Sequence, residues 1–395
     1  MKKHTIASHN ITILFWVQFF STISFLQPVM TLFYMERGLT ESEIFLVLMC
    51  WSGAVMLGEV PAGVFADRFG AKKSFIIGGF IKIISYSFLF IAQEPWLFFL
   101  YSGLNGFSVT FFSGADEALI YESLKESDEQ NLMDHAMGKI QSAGFISMIA
   151  AVLFGAYMAK DLREDQFQLL IGLGMLFYII ELILLFFVKN PSNQASYREN
   201  PFTQVVKGIK VIRKCPSLLW MFMNVTLVFI PAAAVYDYFN QPLFTNAGIP
   251  VAYIGILYAI AAVIGYFSSN SVGWMASRYS RVFLMHVTGW IAVIGLVISA
   301  IFGETLWMII GAFFLLRFVR SIRYPIYSQL SNDIIPSEVR ATTISLLSIL
   351  DSVLDLIVFG LLSFVAIKGV PTILLGCAIV AMIGTILPIK AKVLK

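Results

Sequence analysis

The chain has 395 residues, of which 58% are hydrophobic and 13% charged, and a mean hydropathy of +0.81. A soluble globular chain is nearer half apolar and a quarter charged, so this composition describes a protein that crosses a bilayer many times. The net charge of +3 is too small to suggest a nucleic-acid partner, and most basic residues sit in short loops.

Cys50, Cys215 and Cys377 are widely separated with no Cys-x-x-Cys, and the four histidines show no ligand spacing. Neither a disulfide framework nor a metal site is expected. No phosphate-binding loop is present, so direct ATP hydrolysis is not expected, and no cofactor is implied. Met1-Lys-Lys-His is followed by a long apolar run without a small-residue cleavage site, which reads as a retained first helix.

A membrane helix needs about 20 apolar residues. In chain order, the apolar runs predict spans near 11–35, 43–66, 73–92, 96–121, 136–159 and 166–188. A polar stretch comes next, and then spans near 217–240, 251–275, 282–302, 305–330, 338–366 and 370–389. The expected fold is all-α, with twelve transmembrane helices. Its expected division is a six-helix bundle over 1–188, a cytoplasmic linker over 189–214 and a second bundle over 215–395. Of 27 lysines and arginines, twenty fall in loops on the side of the amino terminus, four on the other side and three within spans. That bias places both termini in the cytoplasm.

Between the second and third spans lies Gly58-Glu-Val-Pro-Ala-Gly63-Val-Phe-Ala-Asp67-Arg68-Phe-Gly70-Ala-Lys72-Lys73. Gly63 is expected to let two helix backbones approach closely. Asp67 ends the apolar run and Gly70 suits a positive-φ turn. Arg68, Lys72 and Lys73 hold the turn at the cytoplasmic face. The pattern Gly-x-x-x-Asp-Arg-x-Gly-x-Lys-Lys at this junction resembles the signature loop of the major facilitator superfamily of transporters. The halves also repeat. Gly63-Val-Phe-Ala-Asp-Arg-Phe-Gly has a worn copy in Gly273-Trp-Met-Ala-Ser-Arg-Tyr-Ser, and Gln27-Pro28 of the first span is echoed by Gln241-Pro242 of the seventh.

The resemblance implies two pseudo-symmetric six-helix bundles that rock about a central substrate site near mid-membrane. By family analogy the cytoplasmic gate joins Arg68 to Asp116 or Glu122 low on the fourth helix, and Asp67 to the helix start at Ser337-Glu338. A carboxylate is favourable at that end of a helix. Asp116 reads as part of this latch, and Glu117 stays open between gate and substrate. Many family members carry an arginine in the fourth helix associated with proton coupling. Here Ser102 holds that place, and Arg317 holds its counterpart in the second half.

Charge within a span marks a functional residue by default. The tenth span holds Arg317, Arg320 and Arg323, the last expected to reach cytoplasmic headgroups. The eleventh holds Asp351 and Asp355, four apart and so on one helical face. A pair between Arg317 or Arg320 and Asp351 would neutralise two costly charges, either as a static bridge or as a proton-coupling or substrate site. Glu59 and Lys82 lie at similar distances from the turn near residue 70, roughly 12–15 Å along their helices. They are predicted to pair, the alternative being a Lys82 side chain that snorkels along lipid. Tyr236, Asp237, Tyr238, Asn240 and Gln241 form an aromatic and polar cluster expected at the external mouth. With Gln18 and Gln27 of the first span they would line a cavity suited to amphipathic or cationic solutes. Tyr236 and Tyr238 also fit the role of interface anchors.

These expectations converge on a secondary transporter, not an enzyme, in the cytoplasmic membrane of a bacterium. It would be a monomer in the bilayer, moving a small organic solute with protons as the coupling ion. Efflux of an amphipathic compound is the first reading, because the signature loop and layout resemble the bacterial drug-exporter branch. The absence of a Gly-Pro pair in the fifth span weakens it. Uptake of a nutrient or metal chelator by symport is the alternative, and a non-transporting sensor or an intramembrane enzyme is the alternative of another class.

Overall fold

The structure, a computed structural model, describes residues 5–191, 216–335 and 340–389. The described residues form helices and connecting turns, with no strand. In the first half α1 covers Ile6–Glu36, α2 Glu41–Phe69 and α3 Ala71–Ile91. Helix α4 runs over Pro95–Thr110 and resumes over Ala115–Glu126, followed by α5, Gln130–Met158, and α6, Glu164–Leu185. The second half holds α7, Pro216–Asn246, α8, Val251–Arg278, and α9, Arg281–Ile301. It closes with α10, Leu306–Ile334, α11, Arg340–Ala366, and α12, Val370–Ile386. Among the described residues, nine helices are long and apolar enough to cross a bilayer. The other three have identifiable reasons. Helix α4 is broken, α10 carries three arginines, and α12 has only 17 residues.

Three predicted continuous spans are interrupted, each near a proline or a glycine. Helix α1 stops at Thr22 and restarts through a tight turn at Gln27–Val29. Pro28 lacks an N–H and disfavours helical backbone in the residue before it. Helix α4 breaks at Gly114, whose φ of +71° is left-handed. In α7 a wide π-helical turn covers Ile230–Val235, with Pro231 at its start. The proline ring cannot pack beneath the carbonyl four residues earlier, and a widened turn accommodates it.

The described residues divide into two compact units. The first comprises 5–29, 36–38 and 47–191, and the second 30–35, 39–46, 216–335 and 340–389. The expected linker beyond Pro191 lies outside the described residues.

In the first unit α1 packs on α5 and α6, and α3 on α4 and α6. Ile11, Leu14, Val17, Phe75, Leu119 and Ile140 fill its core. Backbones meet directly at two glycines. A Cβ on Gly155 would stand 1.9 Å from the Phe25 carbonyl oxygen, and one on Gly106 would stand 2.5 Å from that of Trp51. Small residues at such crossings let helices associate where lipid supplies no hydrophobic drive. Outside the apolar core, Arg37 ties three elements together: its guanidinium bridges Glu164 at 2.6 Å and donates to the Ala92 carbonyl.

In the second unit α9 packs on α10 and α12, α8 on α10, and α7 on α12. Met30–Met35 of α1 and Leu39–Leu46, which includes the start of α2, belong here as well. The Thr31 N–H donates to Gln241 Oε1 at 2.8 Å, and the Phe45 ring stacks on Phe239 at 5.2 Å. Ser42 and Ser363 each donate a hydroxyl to the other's carbonyl, at 2.9 and 3.3 Å. Large apolar side chains such as Trp307, Phe364 and Ile367 face outward, as they do where the surroundings are lipid.

Candidate functional site

The turn between α2 and α3 closes on Gly70, whose φ of +86° only glycine adopts without strain. Its N–H bonds the Ala66 carbonyl at 2.8 Å, and Lys72 Nζ donates to the Phe186 carbonyl at 2.6 Å. The guanidinium of Arg68 lies over the Phe69 ring at 5.3 Å, and Lys73 Nζ approaches the same ring at 5.9 Å. Two expectations for this gate need correction. Among the described residues a Cβ on Gly63 would meet nothing within 4 Å, so none of their helices approaches closely there. Arg68 pairs with neither Asp116 nor Glu122. The break at Gly114 re-aims the second part of α4: Asp116 accepts the Glu117 N–H at 2.8 Å, while Glu122 pairs with Lys125 at 3.7 Å. Glu117 is exposed. The Ser337-Glu338 partner expected for Asp67 lies outside the described residues.

Deeper in the first unit, Lys82 pairs with Glu181 of α6 at 2.8 Å, not with Glu59. Glu59 Oε1 accepts from Ser113 Oγ at 3.2 Å instead. Equal depth does not fix azimuth. Lys82 points toward α6 and α1, where its Nζ also approaches the Ser21 carbonyl at 3.4 Å, while Glu59 points toward α4. Lys82 Nζ sits 4.1 Å from the centre of the Tyr178 ring, and the Glu181 side chain is 2% exposed. The signal that could have found Glu181 is simple: it is the lone charge in the apolar run of the sixth span. Gln18 Nε2 bonds Thr22 Oγ1 of its own helix at 3.0 Å, and Gln27 is exposed in the turn that restarts α1.

In the second unit a charged cluster forms between α7 and α10. Arg317 holds Asp237 with both terminal nitrogens, at 2.8 and 3.3 Å, and Arg320 bridges the same carboxylate at 2.8 Å. The guanidinium of Arg317 lies over Tyr258 and Phe313, at 5.1 and 5.0 Å, and that of Arg320 over Phe229 at 5.5 Å. This corrects the expected pairing with Asp351, whose Oδ1 accepts from Thr226 Oγ1 at 2.9 Å. Asp355 lies one turn further along α11 and is half-buried. Asp237 is also deeper than the external mouth. It stands nine residues before the end of α7, about 14 Å at 1.5 Å per residue, and Arg317 eleven residues into α10, about 16 Å. Both distances are near half of a hydrocarbon core about 30 Å thick.

The widened turn at Ile230–Val235 precedes this cluster directly. Each residue added to a turn rotates the remainder of the helix by about 100°. The residues expected to line a cavity differ in burial. Asp237 and Tyr238 are half-exposed, whereas Tyr236, Asn240 and Gln241 are 1%, 0% and 2% exposed and tie the unit internally. Tyr236 Oη meets Ser299 Oγ at 3.2 Å, and Tyr258 Oη donates to Asn240 Oδ1 at 2.7 Å.

Arg323 does not reach the headgroups. It is 4% exposed, and its guanidinium donates to Asn224 O and Oδ1 at 3.0 and 2.7 Å, to Thr288 Oγ1 at 3.3 Å and to the Met285 carbonyl. One arginine thereby joins α7, α9 and α10, with no carboxylate partner among the described residues. Among those residues, too, no cluster of His, Cys, Asp or Glu could hold a metal ion.

The description "Major Facilitator Superfamily" matches residues 11–358 of the chain. A protein of Photorhabdus laumondii subsp. laumondii called multidrug resistance protein MdtH is 25% identical over 205 residues, 51% of this chain. The chain spans 47% of the length of that relative. Among solved structures, the nucleoside transporter NupG aligns with a TM-score of 0.76 at 15% identity, covering 96% of this chain and 97% of its own. A D-xylose–proton symporter aligns with a TM-score of 0.71 at 15% identity, covering 98% and 99%.

Proposed function

Because the chain belongs to the Major Facilitator Superfamily, we propose that it exports a small amphipathic organic compound in exchange for protons. The moving parts in this reading are the halves 1–188 and 215–395, joined by the cytoplasmic linker 189–214, with both termini in the cytoplasm. The signature turn at Gly63, Asp67, Arg68, Gly70, Lys72 and Lys73 acts as the cytoplasmic gate. The protein works as a monomer and performs no covalent chemistry. Export, as opposed to uptake, is supported by the likeness to a multidrug resistance protein over half of the chain.

The observation that carries proton coupling is the environment of Asp351. Its carboxylate is half-buried in α11 and meets a hydroxyl, Thr226 Oγ1 at 2.9 Å, but no cation among the described residues. A carboxylate in an ion pair must break that pair to take a proton. Asp351 is spared that step, and a buried charge without a partner is costly, so gaining and losing a proton changes its fit in the unit. Asp237, clamped by two arginines, is suited to a different task.

The test is a growth-inhibition panel of toxic amphiphiles in an efflux-deficient bacterium, with wild type beside Asp351→Asn. Protection by the wild type that Asp351→Asn abolishes is the expected outcome. Heightened sensitivity to particular compounds would replace export with uptake. Full protection by Asp351→Asn would remove that residue from the coupling.

A further inference from the structure

Two guanidinium groups in the second unit share one carboxylate. Asp237 spends Oδ1 on Arg317 and Oδ2 on both Arg317 and Arg320. Arg320 uses a single terminal nitrogen in this contact, and 43% of its side chain is exposed. Arg317 Nε is buried and has no hydrogen-bond partner among the described residues. The cluster therefore carries one positive charge in excess and unspent donors on both arginines. An excess cation about half-way through a membrane protein is expensive, and such charges persist where they meet a substrate or ion.

We propose that Arg320, backed by the Arg317–Asp237 pair, binds an anionic group on the transported compound, a carboxylate or phosphate attached to an aromatic or apolar body. The planar fork of a guanidinium pairs with two oxygens of such a group at once, which gives orientation as well as charge. Asp237 has a positioning role: it fixes the Arg317 plane on Tyr258 and Phe313 and draws Arg320 into place over Phe229. The half-exposed Phe229 and Tyr258 supply ring faces beside the charge for the apolar body. An anionic group takes the place of the cationic one among the amphipathic or cationic solutes first expected, because the carboxylate of the cluster is already engaged by two guanidinium groups. An exported anion also fits the bilayer's own field, since an inside-negative potential drives negative charge outward.

The inference rests on the reading of the chain as a transporter and is tested by binding, so the direction of transport does not enter. The probes are 2-naphthoate, its neutral amide and the corresponding aminomethyl cation, titrated calorimetrically into purified full-length protein in detergent. Naphthoate is expected to bind at least tenfold more tightly than the amide, with the cation weakest. Arg320→Gln should erase that preference at an unchanged unfolding temperature, and Arg320→Lys should keep part of it. Equal affinity for acid and amide, preference for the cation, a preference that survives Arg320→Gln, or no saturable binding of any probe would each overturn the proposal. A naphthoate preference in a protein that protects no cell from toxic compounds would leave the proposal standing and sink the export reading instead.

Discussion

The Lys82–Glu181 pair gives the sharpest test of how charge is placed inside the first unit. The ion pair is 2.8 Å long, with the lysine side chain 14% exposed and the glutamate 2%. Removing one partner leaves the other charge buried and uncompensated, at a cost of about 3–5 kcal/mol. Lys82→Met also forfeits the contact with the Tyr178 ring, worth about 0.5–2 kcal/mol. Replacing both partners by apolar residues of similar length removes both charges together, and the double variant Lys82→Met/Glu181→Met is expected within about 2 kcal/mol of wild type. The coupling between the two sites is then several kcal/mol, far beyond the roughly 0.5 kcal/mol scatter of independent substitutions. Glu59→Gln is the internal control. It weakens only the hydrogen bond from Ser113 and should cost about 1 kcal/mol or less. Equilibrium unfolding of purified Lys82→Met, Glu181→Met, the double variant and Glu59→Gln in mixed micelles, titrated with SDS, measures all four differences from wild type. Additive single and double costs would refute the coupling, as would a Glu59→Gln penalty matching that of Glu181→Met.

Three further predictions concern packing at two glycines and the buried Arg323. Gly155→Ala should lower stability by about 1–3 kcal/mol or prevent folding, because the new methyl group meets the Phe25 carbonyl, a backbone atom that cannot swing aside. Gly63→Ala, with open space around it, should unfold within about 0.5 kcal/mol of wild type in the same SDS titration. Arg323→Lys should destabilise by about 2–3 kcal/mol despite keeping the charge, since one ammonium cannot reach Met285, Thr288 and Asn224 together. If Arg323→Lys proved as stable as wild type, charge alone, and not the guanidinium fork, would be holding α7, α9 and α10 together.

Much of the architecture was legible along the chain because hydropathy is a one-dimensional signal. Apolar runs of membrane length located the spans, the Lys and Arg bias gave them an expected orientation, and Gly70 announced a turn that takes φ +86°. Interruptions were not legible in the same way: Pro28 and Pro231 sit where α1 and α7 depart from a regular helix, but Pro61, Pro242 and Pro325 lie inside helices that run on. Which charges meet was not legible. Depth comes from counting residues, and it made Glu59 a reasonable partner for Lys82. Azimuth depends on how each helix is rotated and broken, and it gave Lys82 to Glu181 and left Glu59 to Ser113. The same limit separates Asp351, which span position alone offered to Arg317, from Asp237, which the widened turn of α7 delivers to Arg317 and Arg320. Sequence determines how far along a helix a charge lies because the rise per residue is constant; only the packed tertiary structure decides which way it points, because rotation is set by contacts between helices remote in the chain.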